Sequence, residues 1–395
     1  VHKKAYRERL RPSLEAVIYL RKYIGGTRWI YNEILARVRR EYQDHIANAS
    51  IPKPNLSPYA LCLRIKYLRN DSDMTWLQEV PAAACNQKIQ DLGRAFQNFF
   101  SRGRKKKTGY PKFKKKTDGG SFRLDKQDFS IRNDMLHIRK CPLPIKVLWS
   151  RDLPSAPSQV TITMTPTGEF YASFLCEYEP VKTTGTGIIG IDLGITDLAT
   201  MSNGITIPNP RHYLASQRRL GMLQRRLSRK QKGSNNRNKA RLKVAKCHQH
   251  IANQRKDHLH KLSTALVREN QAICIEDLAV GNMVRNRHLS KHIMTAGWGM
   301  FRRMLEYKCI ASQHCRLIIA DRYYPSTQEC HVCGSRPSKK LGLSVREWTC
   351  EHCGTRHERD DNASQNLRQL AERTLAMSHI LDPRAMIILT RDYMA

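Results

Sequence analysis

The sequence predicts a multidomain protein in which a helical region and a small β-domain precede an α/β domain. Three observations carry that prediction. The chain has 395 residues, enough for two or three folding units of about 100 to 200 residues each. Apolar residues recur at helical spacing through the first quarter, and short alternating segments follow between Ser121 and Glu179. From Gly187 onward strand-like and helix-like segments take turns, which is the pattern of a sheet with helices packed on it.

The elements follow in order. His2 to Leu10 is a strand candidate, and Pro12 and Ser13 mark a helix start before LEAVIYLRKYI. In NQKIQDLGRAFQNFF, Ile89, Leu92, Phe96, Phe99 and Phe100 share helical spacing, which leaves Asn86, Gln87, Gln90 and Asn98 for other faces. SRGRKKKTGYPKFKKK, from Ser101 to Lys116, breaks the helical pattern with Gly, Pro and a run of Lys and Arg, and reads as a linker. SFRLDKQDFSIRNDMLHIRK and QVTITMTPTGEFYASFLCEYE alternate as half-buried strands do, the second folded at a turn from Thr165 to Gly168. Because a strand candidate precedes the helices and more strands follow them, the helical block is expected to be an insertion into the β-domain.

GIIGIDLGITDLATMSNGI reads as a buried strand, a tight turn containing Gly194 and a second strand. A basic region from Arg211 to Arg268 carries two apolar stripes, Leu220, Leu223 and Leu227, then Leu259, Leu262 and Leu266. Lys232 to Asn236 forms the turn between them, so a basic helical hairpin is expected. QAICIEDLAV is another buried strand ending in acids, Trp298, Phe301 and Leu305 mark a core-facing helix, and RLIIADRY supplies a further strand. No repeat of 20 to 50 residues is present.

Composition narrows the function. Lys and Arg number 69 against 34 Asp and Glu, a formal net charge of +35. Charge of one sign at that level repels itself in a compact chain unless a polyanion balances it, and its spread along the sequence suits long basic grooves for nucleic acid. No run of about 20 apolar residues exists to span a membrane. VHKKAYRERL lacks the apolar stretch of a secretory leader. Of the 12 cysteines, four are clustered with metal spacing and eight are scattered, which points to a reducing, cytoplasmic setting in which Cys62, Cys85, Cys141, Cys176, Cys247, Cys274, Cys309 and Cys315 are buried apolar residues.

The sharpest local signal is C-x-x-C, sixteen residues, then C-x-x-C: Cys330, Cys333, Cys350 and Cys353. Two such turns complete a tetrahedral shell of four thiolates and leave no open position, so the metal expected there is one structural zinc. His352 and His357, inside and just beyond the last pair, read as nucleic-acid-facing or incidental. A second set of candidates is acidic. Asp192 ends GIIGI, Glu276 ends AICI, and Asp360 in RHERDDNASQNL stands at a helix entrance after the cysteines. An acid that breaks an apolar run is costly unless it has work to do. Cleavage of a phosphodiester by two divalent ions needs such carboxylates, converging from rigid elements. Taken singly, each acid reads equally well as a cap, a salt bridge or a strand-end charge.

GIDLGITDLAT, CIEDLAVGNM, WGMFRRMLEYK, DRYYPSTQECHVCG and RDDNASQNL, in that order, resemble the successive signatures of TnpB, the insertion-sequence protein related to type V CRISPR effector nucleases. YNEIL, LGRAFQNFF and GYPKFKKK resemble the same family, and coverage runs from about Lys3 to about Leu370. Val1 and the closing MSHILDPRAMIILTRDYMA depart from its pattern. The resemblance implies a wedge-type β-barrel domain split between residues 1–12 and 105–182, a helical recognition domain over 13–104, and a RuvC-like nuclease domain over 183–370. That last domain would contain the basic hairpin (211–268) and a zinc-ribbon insertion (326–357), with a tail over 371–395.

It further implies an RNA-guided DNA endonuclease of a transposon in a bacterial or archaeal host. Asp192, Glu276 and Asp360 would be its catalytic acids, holding two magnesium or manganese ions, with Asp277 and Asp361 as adjacent decoys. The partners would be a guide RNA from the transposon end and double-stranded target DNA beside a short motif, the chain acting as a monomer. Base pairing then supplies sequence choice. Tyr59, Asn86, Gln87 and Gln90 are candidate readers of the motif, since amides bond adenine bidentately; exposed helix surface is the plain alternative. Lys105, Lys106, Lys107, Lys112, Lys114, Lys115 and Lys116, interleaved with Tyr110 and Phe113, are candidates for phosphate contact and base stacking. Arg218, Arg219, Arg225, Arg226, Arg229 and Lys230 on the hairpin are candidates for the heteroduplex channel. Two other activities fit the same residues: a transposase catalysing strand transfer, and an RNA-guided repressor that binds DNA without cutting it.

Overall fold

The computed structural model describes residues 2–101, 108–180, 184–342 and 344–377, and the backbone of 387–388. Lys105, Lys106 and Lys107, the boundaries expected at 104/105 and 182/183, and most of the 371–395 tail lie outside those residues. The chain divides into two compact units, residues 1–179 and 180–395.

The first unit is built on a seven-stranded antiparallel sheet. Its elements are β1 (His2–Arg11), α1 (Leu14–Ala47), α2 (Pro58–Asn70), α3 (Ala82–Phe100), β2 (Gly120–Asp125), β3 (Phe129–Arg132), β4 (Met135–Ile138), β5 (Ile145–Leu148), β6 (Gln159–Met164) and β7 (Phe170–Tyr178). The strand order is β2-β6-β7-β1-β5-β4-β3. The first strand of the chain thus lies between strands that follow all three helices: β1 pairs with β7 from His2↔Tyr178 to Leu10↔Phe170, and with β5 on its other side. The two edge strands, β2 and β3, are consecutive and joined by the single turn Lys126–Asp128, so the sheet curls back towards itself. Alternation decides its faces: Phe122 and Leu124, Val160 and Ile162, and Phe170, Ala172 and Phe174 all point into one core.

Helix α1 starts where Ser13 caps it, the hydroxyl accepting from the Ala16 amide at 3.1 Å. It runs unbroken for 34 residues because Leu20, Tyr23, Ile24, Ile30, Ile34, Leu35 and Val38 keep one face buried throughout. On α3, Ile89, Leu92 and Phe96 are buried as their spacing predicts. Phe99 and Phe100 are not: they are 37% and 58% exposed, because the helix ends beside them and Phe99 packs edge-on against Tyr110 instead.

The second unit contains β8 (Gly187–Asp192), β9 (Asp197–Met201), β10 (Thr206–Pro208), α4 (His212–Ser228), α5 (Asn235–Glu269), β11 (Asn270–Glu276), α6 (Val280–Met283), α7 (Ser290–Ala296), α8 (Trp298–Ser312), β12 (Arg316–Ala320), β13 (Glu347–Thr349), β14 (Arg356–Glu358), α9 (Arg359–Met377) and β15 (Ile387–Ile388). Its sheet has the order β10-β9-β8-β11-β12-β15, parallel from β8 to β15 and antiparallel at β9 and β10. Ile273, Ile275, Leu317 and Ile319 pack with Leu259 of α5 and Phe301 of α8. Ala272, Cys274, Ile318 and Ala320 pack with Leu367 and Leu370 of α9. Both faces are covered, which is why these strands read as continuous apolar runs. Helices α4 and α5 form the expected hairpin around Leu220, Cys247 and Ile251. Seven of the eight scattered cysteines are buried, and Cys62 is half-buried.

Candidate active site

Strand parity and register bring the three acids to one place. Ile191 of β8 lies opposite Ile275 of β11 in parallel register, so Asp192 and Glu276 end adjacent strands at their carboxyl ends. Glu276 has the parity of Ala272 and Cys274, and Asp192 that of Ile188, the residues that face α9. Gly190 lets that helix approach: a Cβ there would lie 2.1 Å from the Ser364 carbonyl oxygen and 2.4 Å from the Arg368 amide nitrogen, which no side chain tolerates. Asp360 sits in the first turn of α9.

The electrostatics record the meeting. Burial, then the charges of Glu276 and Asp360, push the Asp192 carboxyl well above its ordinary range, against the pull of Arg359 and the Leu193 amide. Burial also raises Glu276, opposed by a hydrogen bond from Ser326 and by Arg359. The Ser326 hydroxyl donates to Glu276 Oε1 at 2.5 Å. Arg346 Nη1 stands 3.3 Å from both oxygens of Asp360, and the Arg359 amide fixes it by donating to the Arg346 carbonyl at 2.7 Å. The neighbour Asp277 has the opposite parity and a different fate: burial pushes its carboxyl up, but Arg302 and Arg322, each at 2.5 Å, outweigh that and hold it low.

Among the described residues, the cysteine quartet forms the one set of three or more His, Cys, Asp or Glu side chains whose ligand atoms all lie within 4.8 Å of one another. Its two turns are copies of each other. The Gly334 amide donates to the Cys330 carbonyl and the Cys330 amide to Ser335; the Gly354 amide donates to Cys350 and the Cys350 amide to Thr355. Each turn closes through a glycine at positive φ, 74° and 69°. Burial raises the Cys330 thiol, whereas hydrogen bonds from Ser335 and Thr355 pull Cys350 and Cys353 down. Four thiols at this spacing, with hydroxyl and amide donors aimed at the sulfurs, fit a zinc ion. His357 is not nucleic-acid-facing: it is 3% exposed, with Nε2 3.1 Å from Cys330 Sγ and its ring against Trp348 and His331. It fills the knuckle's small core.

A polar stripe of α9 ties this knuckle to the acids. Asn362 accepts from the His331 amide at 3.0 Å and donates to the Glu329 carbonyl at 2.7 Å. Asn366 donates to the Ser326 and Glu329 carbonyls and Gln369 to the His331 carbonyl, each at 2.7 Å. Sequence reasoning missed Ser326, Arg346, Arg359 and this stripe. The stripe had a signal, amides at i, i+4 and i+7 on a helix; the serine and the arginines had none.

The nucleic-acid candidates divide. Tyr59, Asn86 and Gln90 are exposed on α2 and α3. Gln87 is half-buried and partly engaged, donating to Asp125 at 3.2 Å and accepting from Arg123 at 3.3 Å. Tyr110 is half-buried, its ring packing edge-on against Phe96 and Phe99 and carrying the Arg39 guanidinium at 5.2 Å. Phe113 is 44% exposed, and Lys112, Lys114, Lys115 and Lys116 are exposed around it. Arg218, Arg219, Arg225, Arg226, Arg229 and Lys230 are all exposed on or just after α4.

Three family descriptions match the chain: "Helix-turn-helix domain" over residues 2–46, "Probable transposase" over 173–287, and "Cas12f1-like, TNB domain" over 298–367. The first overlies β1 and the single continuous α1. A Streptomyces pristinaespiralis protein named "Putative RNA-guided DNA endonuclease" is 39% identical over 92% of this chain and 88% of its own length. An Escherichia coli protein of the same description, InsQ, is 29% identical over 95% of this chain and 94% of its own. The protein of a Cas12f1-sgRNA-target DNA complex aligns with a TM-score of 0.50 at 13% identity, over 89% of this chain and 82% of that one, a likeness of fold. Similarity of this extent to the first relative, with the family matches falling in order along the sequence, places the chain in the TnpB family.

Proposed function

We propose that this chain is an RNA-guided DNA endonuclease that hydrolyses phosphodiester bonds of target DNA at Asp192, Glu276 and Asp360. The observation that carries the reading is the convergence of those carboxylates, drawn from three distant segments into a partly dry site where burial and neighbouring negative charge oppose the ionisation of Asp192 and Glu276. Such a cluster is poorly compensated by Arg346 and Arg359 and suits cations far better. Asp192, Glu276 and Asp360 would hold two magnesium or manganese ions, which when bound lower the pKa of water and neutralise charge on the scissile phosphate.

Ser326 orients Glu276, and the α8 and α9 faces keep Asp277 and Glu276 apart, so the decoy is locked to arginines while its neighbour is left for ligation. Arg346, 3.3 Å from Asp360 and largely exposed, would be available to an anionic strand if metal ions were held by Asp360 in its place. On this reading the 1–179 unit is the split wedge domain with its inserted helical lobe, residues 183–370 are RuvC-like, the quartet holds a structural zinc, and the protein acts as a monomer with a guide RNA from the transposon end. Tyr59, Asn86 and Gln90 remain the proposed motif readers. Exposed Lys112, Lys114, Lys115 and Lys116, with the exposed Arg of α4, meet phosphates.

The test sequences the RNA that copurifies with the chain, then supplies a plasmid bearing the matching target with magnesium. Linear DNA from the native chain, with binding kept and cutting lost in Asp192→Ala and Glu276→Ala, supports the reading. Equal cutting by the variants sinks it. The "Probable transposase" description favours a second reading, strand transfer; joined DNA ends in place of free ones would select it, and binding without any cutting by the native chain would select a repressor.

A further inference from the structure

The first unit holds a cavity of about 520 Å³ that the proposed cleavage does not use. One wall is a stripe of α1, with Gly25, Arg28, Trp29 and Asn32 at i, i+3, i+4 and i+7; Trp76 and Phe113 close it from outside the helix. Trp29 and Trp76 meet at 78° with ring centres 5.2 Å apart, an aromatic corner that lets a flat ring stack on one while meeting the edge of the other. Phe113 is held in place because Asn32 clasps the next residue, bonding both the carbonyl and the amide of Lys114 at 3.0 and 2.8 Å.

Charge at the cavity has one sign left over. Glu33 is paired with Arg37 at 2.8 Å, whereas Arg28 has no hydrogen-bond or ion-pair partner among the described residues. Gly25 adds an independent clue. A glycine inside a helix costs about 1 kcal/mol against alanine. Its neighbour Gly26 is required by packing, since a Cβ there would meet Val80 Cγ2 at 2.6 Å. A Cβ on Gly25 would meet only the end of Arg28, at 3.9 Å. What Gly25 preserves is the open space itself.

We infer that this cavity takes up one unstacked nucleotide of a nucleic-acid strand, its base in the Trp29–Trp76 corner and its phosphate on Arg28. The inference rests on the nucleic-acid reading above. The volume lies within the range of small-molecule sites, base stacking on aromatic side chains tolerates any sequence, and Lys112, Lys114, Lys115 and Lys116 stand exposed beside Phe113 to carry the flanking phosphates.

Gly25→Leu fills the cavity beside Arg28 and leaves the charges of Lys112, Lys114, Lys115 and Lys116 in place. Two affinities are measured: that of the stripped chain for the RNA that copurifies with it, and that of the RNA-loaded chain for its target duplex. The melting temperature should hold or rise, while one affinity falls about tenfold to a hundredfold, the loss of one stacked base. A fall in the first arm assigns the nucleotide to the guide, and a fall in the second to the target. Arg28→Gln should weaken the same arm and lower its salt dependence by about one phosphate contact, and it stands as the test if Gly25→Leu does not fold. Folded variants with both affinities unchanged overturn the inference. A native chain that binds neither nucleic acid overturns the nucleic-acid reading itself.

Discussion

The acid cluster and the cysteine knuckle lie in one unit and answer opposite problems. The knuckle is closed: four thiols within 4.8 Å, in two turns of the same design, with donors already aimed at the sulfurs. The acid cluster is open: burial and neighbouring negative charge at Asp192 and Glu276 oppose the fold that brings them together with Asp360. A site whose parts are local and self-consistent stabilises the chain, and one that must turn over a ligand is held in an unfavourable state by its surroundings.

That contrast can be broken at several points. The largest effect is expected from Asp192→Asn. Cutting should fall about a thousandfold, the equivalent of several kcal/mol of lost charge stabilisation, while in metal-free buffer the melting temperature rises by about 2 to 4 °C as a buried repulsion is removed. A fall in melting temperature would mean the cluster is not strained. Next, Cys350→Ser should abolish zinc binding, read by elemental analysis, and lower thermal stability by several kcal/mol, because binding energy at such a site is folding energy; zinc kept at one ion per chain would refute the closed site. Third, Asn362→Ala with Asn366→Ala should leave zinc content unchanged yet slow cutting about tenfold to a hundredfold, the usual cost of removing groups that orient metal ligands. Equal cutting would show the two sites to be independent. Smallest is Arg346→Ala. The pair with Asp360 is largely exposed on the arginine side, so stability measured by denaturant titration should change by under about 1 kcal/mol.

How much of this could be read from sequence follows the same division. Cys330, Cys333, Cys350 and Cys353 announce themselves because their spacing is local, and strand β1, the cap at Ser13, the α4–α5 hairpin and the apolar strands of the second unit follow from short-range periodicity. The acids are different. Their types and strand-end positions are visible, but nothing in the residues themselves says that β8, β11 and α9 share one end; the family signatures supplied that expectation, and the register of Ile191 with Ile275 supplied the geometry. Gln87, Tyr110 and His357 have partners that no local pattern announces. Each is a polar or aromatic residue of a kind common at nucleic-acid surfaces, and long-range partners, Asp125, Phe96 and Cys330 respectively, occupy it inside the fold. Ser326 and Arg346 were invisible because their importance lies wholly in whom they touch.

The amide stripe of α9 makes the knuckle and the acid cluster a single mechanical part. Asn362, Asn366 and Gln369 grip main-chain groups of residues 326–331, and Ser326 in that segment grips Glu276. Anyone transplanting the knuckle into another scaffold would have to carry the helix with it. Moved alone, it would keep its four thiols together and lose its leverage, and Glu276 left behind would swing without a stop.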